Sequence, residues 1–200
     1  MKATAQLWVR LKVIDLVVQT AWITLTETMG FADDLRGMLR YAWWRFDADG
    51  TGAAAVSAAI DREIRMDSAF TNQNKHRYHL AVEAGDERIV TGDLDLDADL
   101  PGAAEGIFAC DLLVTEKESG ADAGYLERLG PRLGDVRLSG VRSGEVWRLL
   151  VRAKDQAEAA AKVEEMAVTR TRRHGLLVNP HYQGFALIRT APSTGVTGES

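Results

Sequence analysis

Two histidines and two acidic runs are the residues of this sequence whose types and spacing could bind a metal ion. His76 and His79 are three residues apart. On a helix this spacing would place the two side chains on the same face, whereas on a strand it places them on opposite faces. Because their neighbours are typical of a strand, we expect no metal site there. Residues 47–50 and 93–97 resemble fragments of a calcium loop, but the twelfth position of each is an alanine instead of the closing glutamate. We therefore interpret both runs as solvated turns.

A nucleophile or a phosphate-binding loop would be a second sign of an enzyme. Cys110 is the only cysteine, and it lies in an apolar run with no nearby base in the sequence. A buried structural thiol is therefore favoured over a nucleophile. Gly50 and Gly52 lack the spacing and the following lysine of a phosphate loop. We expect no catalytic residue, no metal ligand and no bound cofactor in this chain.

The one basic cluster lies between the last predicted helix and an Asn-Pro pair, and it consists of Arg170, Arg172, Arg173 and His174. Cations are stabilised near a helix C-terminus and in solvent, which gives the cluster a purely structural interpretation. The alternative is a contact with an acidic partner surface or with phosphate.

Tryptophans at the end of predicted strands also allow two interpretations. Trp44 and Trp147 could pack in the core, or they could anchor a contact with another protein. The candidate partner-contact residues are therefore Arg170, Arg172, Arg173, Trp44 and Trp147.

Composition and charge narrow the class of protein. The 200 residues are 46% hydrophobic and 26% charged, as in an ordinary globular protein. A net charge of −5 disfavours nucleic acid and anionic membranes as partners. Arg10, Lys12 and Asp15 interrupt the apolar stretch 7–31, so we expect neither a membrane-spanning helix nor a signal peptide. A single cysteine fits a reducing compartment, and we expect a cytoplasmic protein.

Hydrophobic periodicity predicts two successive β-α-β-α-β units. Apolar spacings of three and four from Val17 to Met29 predict a helix that follows Asp15 and ends at Gly30. β-Branched and aromatic runs predict the strands. In the first unit we expect strands at 6–11, 35–46 and 76–82, a turn at 47–52 and a second helix at 53–66. In the second unit we expect strands at 108–115 and 183–188, a long strand or a hairpin at 136–151, and helices at 123–129 and 155–169.

Short matches recur in the same order in both units, which indicates an internal duplication. The matches pair Trp44-Arg45-Phe46 with Trp147-Arg148-Leu149, Glu63 with Glu164, and Asn72 and Tyr78 with Asn179 and Tyr182. We therefore predict an α+β fold of two tandem units, with antiparallel sheets related by an approximate twofold. The predicted domains are a first unit at 1–84, a connector at 85–106, a second unit at 107–190 and a flexible tail at 191–200. The alternation of aspartate and leucine at 93–97 also allows a short edge strand, as the alternative to a solvated turn.

These motifs together resemble the PurS family, whose chains are small β-α-β-α-β proteins. The features that carry the resemblance are Leu11-Lys12 before Asp15, the alanine- and glutamate-rich segment 157–166, and Leu176-Leu177-Val178-Asn179-Pro180 before Tyr182. Residues 70–73 echo the closing segment in the first unit. The chain departs from the family pattern in three places. No proline follows Lys12, the first helix lacks the Pro-Gln-Gly entry that is common in the family, and no Leu-Lys ends the first strand of the second unit.

The resemblance implies a non-catalytic subunit of phosphoribosylformylglycinamidine synthase in purine biosynthesis. Such a subunit lies between a PurQ-like glutaminase, which releases ammonia, and a PurL-like synthetase, which consumes it. A tandem copy would supply both halves of a dimer from one chain, and a homodimer of the chain is a further candidate assembly. No activity is expected from this chain alone.

A second hypothesis is an ACT-like regulatory module that binds a small molecule between duplicated α/β units. Such modules usually have a glycine-containing turn after the first strand. Neither 12–15 nor 116–119 contains a glycine, which favours the PurS-like interpretation.

Overall fold

The computed structural model describes residues 1–97, 104–118, 120–171 and 174–192. They form an α+β fold with one open seven-stranded sheet of antiparallel strands, in the order β4-β3-β1-β2-β6-β5-β7, and four α-helices. The elements are β1 (Lys2–Leu11), α1 (Leu16–Ile23), β2 (Leu35–Asp49), α2 (Ala53–Met66), β3 (His76–Ala84), β4 (Glu87–Gly92), β5 (Ile107–Glu116), α3 (Ala121–Leu129), β6 (Arg137–Arg152), α4 (Gln156–Ala167) and β7 (Gln183–Pro192).

Each half of the sequence has the predicted β-α-β-α-β order, and the bounds of α2 agree with the prediction. The turn predicted at 47–52 was wrong at its start, because β2 continues to pair with β1 as far as Asp49, which lies opposite Lys2. Residues 93–97 are bend, irregular and turn structure, which agrees with the turn interpretation and not with the edge strand that the alternation allowed. The extra strand is β4, because Gly85 takes a positive φ of 61° and folds the chain back onto β3.

The described residues divide into two compact units, and each draws on both halves of the sequence. Unit 1 comprises Met1–Val13, Tyr41–Leu96 and the described part of Glu118–Gly144. Unit 2 comprises Ile14–Arg40 and the described parts of Asp97–Lys117 and Glu145–Ser200. Unit 1 thus contains α2 and α3, and unit 2 contains α1 and α4. The division into consecutive repeats at 84 and 107 remains a prediction.

The core of unit 1 lies between its strands and its two helices. Alternate residues of β1 and β3, such as Leu7 and Leu80, point to the same face and pack against Val56 and Ile60 of α2. Leu129 of α3 is fully buried in the same cluster. The four-residue spacing of the apolar positions in α2 therefore describes the face that is buried.

The core of unit 2 is likewise formed between strands and two helices, in this case α1 and α4. Leu112 of β5 and Leu149 of β6 pack with Val163 of α4. Ala21 of α1 and Leu25, which lies in the π-helical turn Thr24–Thr28 after α1, complete the cluster. The predicted helix from Asp15 to Met29 is therefore present as an α-helix followed by one π-helical turn.

Two asparagine turns with the same hydrogen bonds precede β3 and β7. In each turn, the side-chain Oδ1 of Asn72 or Asn179 accepts from the N–H two positions later, at 3.0 and 3.1 Å. The backbone carbonyl of each asparagine accepts from the N–H groups three and four positions later. The correspondence of Asn72 and Asn179 in the sequence is therefore a correspondence of local structure. The match of Tyr78 with Tyr182 was wrong, because Tyr182 lies three residues after Asn179 and so takes the position of Lys75.

A lysine binds each of these turns in the same way. Lys12 and Lys117 each follow the first strand of a sequence half, and each donates its backbone N–H to the carbonyl three residues after the asparagine. Lys12 Nζ donates to the Gln73 carbonyl and Lys117 Nζ to the Pro180 carbonyl, both at 2.6 Å. Lys117 is thus the counterpart of Lys12, although a glutamate, Glu116, precedes it in place of a leucine.

Candidate protein-interaction surface

Helix α1 in unit 2 exposes apolar side chains to solvent. Its N-terminus is capped by Asp15, whose Oδ1 accepts from the N–H groups of Val17 and Val18 at 2.9 and 3.4 Å. Ile14 and Leu16, at the start of the helix, are 75% and 71% exposed, and Val17 and Ile23 are exposed as well. A helix that buries Ala21 on one side and exposes large apolar residues on another is typical of a contact surface.

A groove of about 440 Å³ lies beside α1 and is entirely within unit 2. We define the α1 groove by Leu16, Val17, Thr20, Trp147, Leu176 and Leu177, which line it. The hydroxyl of Thr20 donates to the Leu16 carbonyl at 2.8 Å. Because this polar group is already bonded within the helix, the groove offers an apolar surface to a partner.

Trp147 is held in the groove by a network of charged side chains. The guanidinium carbon of Arg40 lies 5.8 Å from the centre of the Trp147 ring. Arg40 Nε donates to Asp15 Oδ2 and Nη1 donates to Glu145 Oε1, both at 3.0 Å. The network joins the N-terminal cap of α1 to β6, which fixes one side of the groove.

Leu176 and Leu177 also line the groove, and they belong to the segment that resembles the PurS family. Their backbone N–H groups donate to the carbonyls of Met166 and Ala167 at 3.0 and 2.9 Å. The preceding Gly175 has a positive φ of 80°, and a Cβ there would lie 1.8 Å from the Val168 carbonyl oxygen. This glycine is needed for the chain to approach the end of α4 so closely.

The candidate partner-contact residues are placed in different environments. Trp147 lines the α1 groove, although it is largely buried. Trp44 is buried in unit 1, with ring centroids 5.4 Å from Phe70 and 5.9 Å from Tyr125, which agrees with the packing interpretation. Arg170 is exposed and forms an ion pair with Glu164. Arg172 and Arg173 lie outside the described residues.

The candidate nucleophile, Cys110, and the candidate metal ligands, His76 and His79, lie in different parts of the fold. Burial raises the pKa of the Cys110 thiol to about 11, although a hydrogen bond with Thr190 opposes this, so the thiolate needed for a nucleophile is disfavoured. His76 and His79 lie on β3 and contact different backbone groups, the Asn72 N–H and the Leu94 carbonyl. In the ranges that the structure describes, no three His, Cys, Asp or Glu side chains are grouped for a metal ion.

The exposure of α1 is the feature of this candidate surface that the sequence pattern did not predict. The spacing from Val17 to Met29 indicated one apolar face of a helix, and Val17 on that face is itself exposed. Leu16 and Ile23 lie off that face and are apolar too, and this was the available signal. Among the described residues, no helix has the length and apolar character needed to cross a membrane.

Comparisons with known proteins give no match to a protein-family model, to a curated protein or to a solved structure.

Proposed function

We propose that this chain is a non-catalytic subunit that holds other proteins together, and that the α1 groove is one of its binding surfaces. The specific form of the proposal is a tandem PurS-like protein, with two β-α-β-α-β units related by an approximate twofold. It would bridge a PurQ-like glutaminase and a PurL-like synthetase of phosphoribosylformylglycinamidine synthase in the cytoplasm, so that ammonia passes between them.

The exposed apolar surface of α1 is the observation that carries the binding role. Leu16 and Val17 are large, apolar and exposed, and they lie next to Trp147 and Leu176 in one groove. Aromatic and aliphatic residues that a partner can desolvate are typical anchors of protein interfaces. Burying Leu16 fully would contribute about 1.5–3 kcal/mol to association before the entropic costs of binding are subtracted.

The paired asparagine turns support the tandem form of the proposal. Asn72 and Asn179 have the same hydrogen bonds, and Lys12 and Lys117 contact them in the same way. Two independent segments rarely converge on a shared set of backbone and side-chain contacts, so a duplication is favoured. Asn179 and Pro180 are also the residues on which the resemblance to the PurS family depends.

The proposal can be tested with purified glutaminase and synthetase subunits of the two named types. We expect the chain to form a complex with the synthetase, measured by sedimentation velocity, and to increase the glutamine-dependent reaction but not the ammonia-dependent one. The variant Leu16→Asp/Val17→Asp should weaken the complex at least tenfold, because two charges would have to be desolvated at the interface.

A matched control is Val90→Asp, which places a charge on an exposed apolar residue of β4 in unit 1, outside the groove. It should leave the affinity within twofold of the wild type. Absence of any complex would contradict the PurS-like role. Equal weakening by both variants would show that the α1 groove is not the binding surface. Stabilisation by an amino acid or nucleotide, with none by the synthetase, would favour the ACT-like alternative.

A further inference from the structure

A polar cavity of about 360 Å³ lies within unit 1, where β1 ends and β3 begins. Side chains that line it include Lys12, Arg65, His76, Tyr78 and Asp93. This volume falls in the range of small-molecule sites, which are roughly 300–1,000 Å³. The lining combines cations, neutral hydrogen-bond donors and one carboxylate.

The two cations of the cavity are only weakly neutralised by their neighbours. Lys12 Nζ donates to the neutral carbonyl of Gln73, a contact that leaves the charge of the ammonium uncompensated. Arg65 Nη1 reaches Asp61 Oδ2 at 3.4 Å, which is a long contact for an ion pair. The other oxygen of Asp61 accepts from the Tyr78 hydroxyl at 2.7 Å. The residues that line the cavity therefore carry two cations, Lys12 and Arg65, and one carboxylate, Asp93. With a neutral His76 their formal charge is +1, in a protein whose net charge is −5.

His76 supplies a neutral donor beside these cations. Its Nδ1 accepts from the Asn72 N–H at 3.1 Å, so the neutral ring carries its proton on Nε2. Burial, and then the charge of Lys75, lower the pKa of His76 below its ordinary value. The ring is therefore a neutral hydrogen-bond donor at neutral pH.

The equivalent positions of unit 2 lack this polar lining. The paired asparagine turns place Gln183 at the position of His76, and two residues later Phe185 at the position of Tyr78. The helices α2 and α4 correspond through Glu63 and Glu164, whose carbonyls accept from the residue that follows each helix.

This helix correspondence places Met166 at the position of Arg65. Both units have the lysine that binds the turn, Lys12 or Lys117. Arg65 and His76 of unit 1 have no cationic or histidine counterpart in unit 2, where Met166 and Gln183 take their positions. Met166 is fully buried whereas the Arg65 side chain is half exposed, so the two positions differ in environment as well as in charge.

We propose that this cavity binds the oxyanion group of a small metabolite, with Lys12 and Arg65 as the cationic contacts and His76 as a neutral donor. Asp93 lines the same cavity, and its Oδ1 accepts from the Tyr78 N–H at 3.1 Å. Its other oxygen, Oδ2, would accept from a hydroxyl or amino group of the ligand. Arginine and lysine together suit phosphate and carboxylate groups, arginine through a planar pair of donors and lysine as a point charge. The site does not depend on the α1 groove, which lies in unit 2.

The test is a titration of the full chain, labelled with ¹⁵N, with inorganic phosphate and separately with acetate, at ionic strength held constant with chloride. We expect saturable shifts of the backbone amides of His76 and Gly92 with at least one anion. Lys12→Met and Arg65→Met should each weaken binding at least tenfold, because each keeps the apolar stem and removes the charge. The anion that binds more tightly identifies a phosphate-type or a carboxylate-type ligand.

Arg62→Met is the matched control, since Arg62 is an exposed cation on the same helix outside the cavity. It should change the affinity less than twofold. The proposal is overturned if neither anion gives saturable shifts in the wild type. Equal weakening by Arg62→Met and Arg65→Met would also overturn it, because binding would then follow net charge. Circular dichroism verifies that each variant is folded. If Arg65→Met does not fold, the affinity of Lys12→Met decides the test.

Discussion

Arg148 of β6 and Asp111 of β5 lie directly opposite each other in the antiparallel register and form a buried two-pronged ion pair. Arg148 Nε donates to Asp111 Oδ1 at 2.6 Å, and Nη2 donates to Oδ2 at 2.7 Å. Their side chains are 1% and 2% exposed. Such a pair offsets its desolvation cost only while both charges are present.

Replacing Arg148 by methionine should therefore destabilise the protein strongly. Arg148→Met leaves the Asp111 carboxylate buried without a counter-charge, and we expect a loss of about 3–5 kcal/mol in the free energy of unfolding. Urea denaturation at pH 7 measures it. The double variant Arg148→Met/Asp111→Leu should recover most of the loss, because no charge is then buried.

The exposed pair of Arg62 and Glu63 provides the control for this measurement. Arg62→Met should change the free energy of unfolding by only about 0–1 kcal/mol, because solvent screens an exposed ion pair. An Arg148→Met variant as stable as the Arg62→Met variant would show that the buried pair contributes nothing to the fold.

Asp67 joins α2 to α3 within unit 1 through two arginines. Replacing Asp67 should lower the free energy of unfolding more than replacing one of these arginines. Asp67 is buried and accepts from Arg128 at 2.5 and 2.7 Å and from Arg132 at 3.3 Å. We expect Asp67→Ala to cost about 2–3 kcal/mol, since it leaves several donors unpaired. Arg128→Met should cost about 1 kcal/mol or less, because Arg128 is half exposed and Arg132 remains. Urea denaturation of the two single variants measures which of them loses more stability. A larger loss for Arg128→Met would show that packing of the Arg128 stem dominates.

Gly92 should tolerate no side chain. It has a φ of 107°, and a Cβ there would lie 2.1 Å from the Tyr78 carbonyl oxygen. Gly92→Ala should therefore lower the free energy of unfolding by at least ~2 kcal/mol. Gly124→Ala should have the opposite sign and stabilise the protein by about 0.5–1 kcal/mol, since Gly124 lies inside α3 with open space around it. Thermal unfolding of both variants distinguishes strain from a general sensitivity to alanine.

Stability should fall in alkaline solution because two buried acids hold their protons in the folded state. The pKa of Cys110 is raised to about 11, chiefly by burial, and that of Tyr78 to about 12 by burial and the hydrogen bond to Asp61. A folded pKa above the unfolded one gives stability that is complete below the unfolded pKa. It is lost between about pH 9 and 11 for Cys110, and between about pH 10 and 12 for Tyr78.

Urea denaturation from pH 7 to 10.5 tests this dependence. The wild-type free energy of unfolding should decrease more steeply above pH 9 than that of Cys110→Ala, which lacks the thiol. In the same range, a thiol reagent should modify Cys110 slowly in the folded protein and rapidly in urea. Rapid modification of the folded protein would contradict the burial of this thiol.

Local features of the sequence determined the order of elements in each half. Helix α2 was predicted with the correct bounds because its apolar residues recur every four positions, which is a property of neighbouring residues alone. The matching of Asn72 with Asn179 was also visible in the sequence, because each asparagine forms its turn with the next four residues.

The tertiary structure decided what depends on contacts between distant segments. It placed α1 with α4 and α3 with α2, exposed Leu16 and Val17, and brought Asp111 opposite Arg148. It also brought Arg65, His76 and Lys12 to one cavity from three separate elements. Periodicity shows that a helix has an apolar side, but it does not show which strands cover that side or how much of it stays in water.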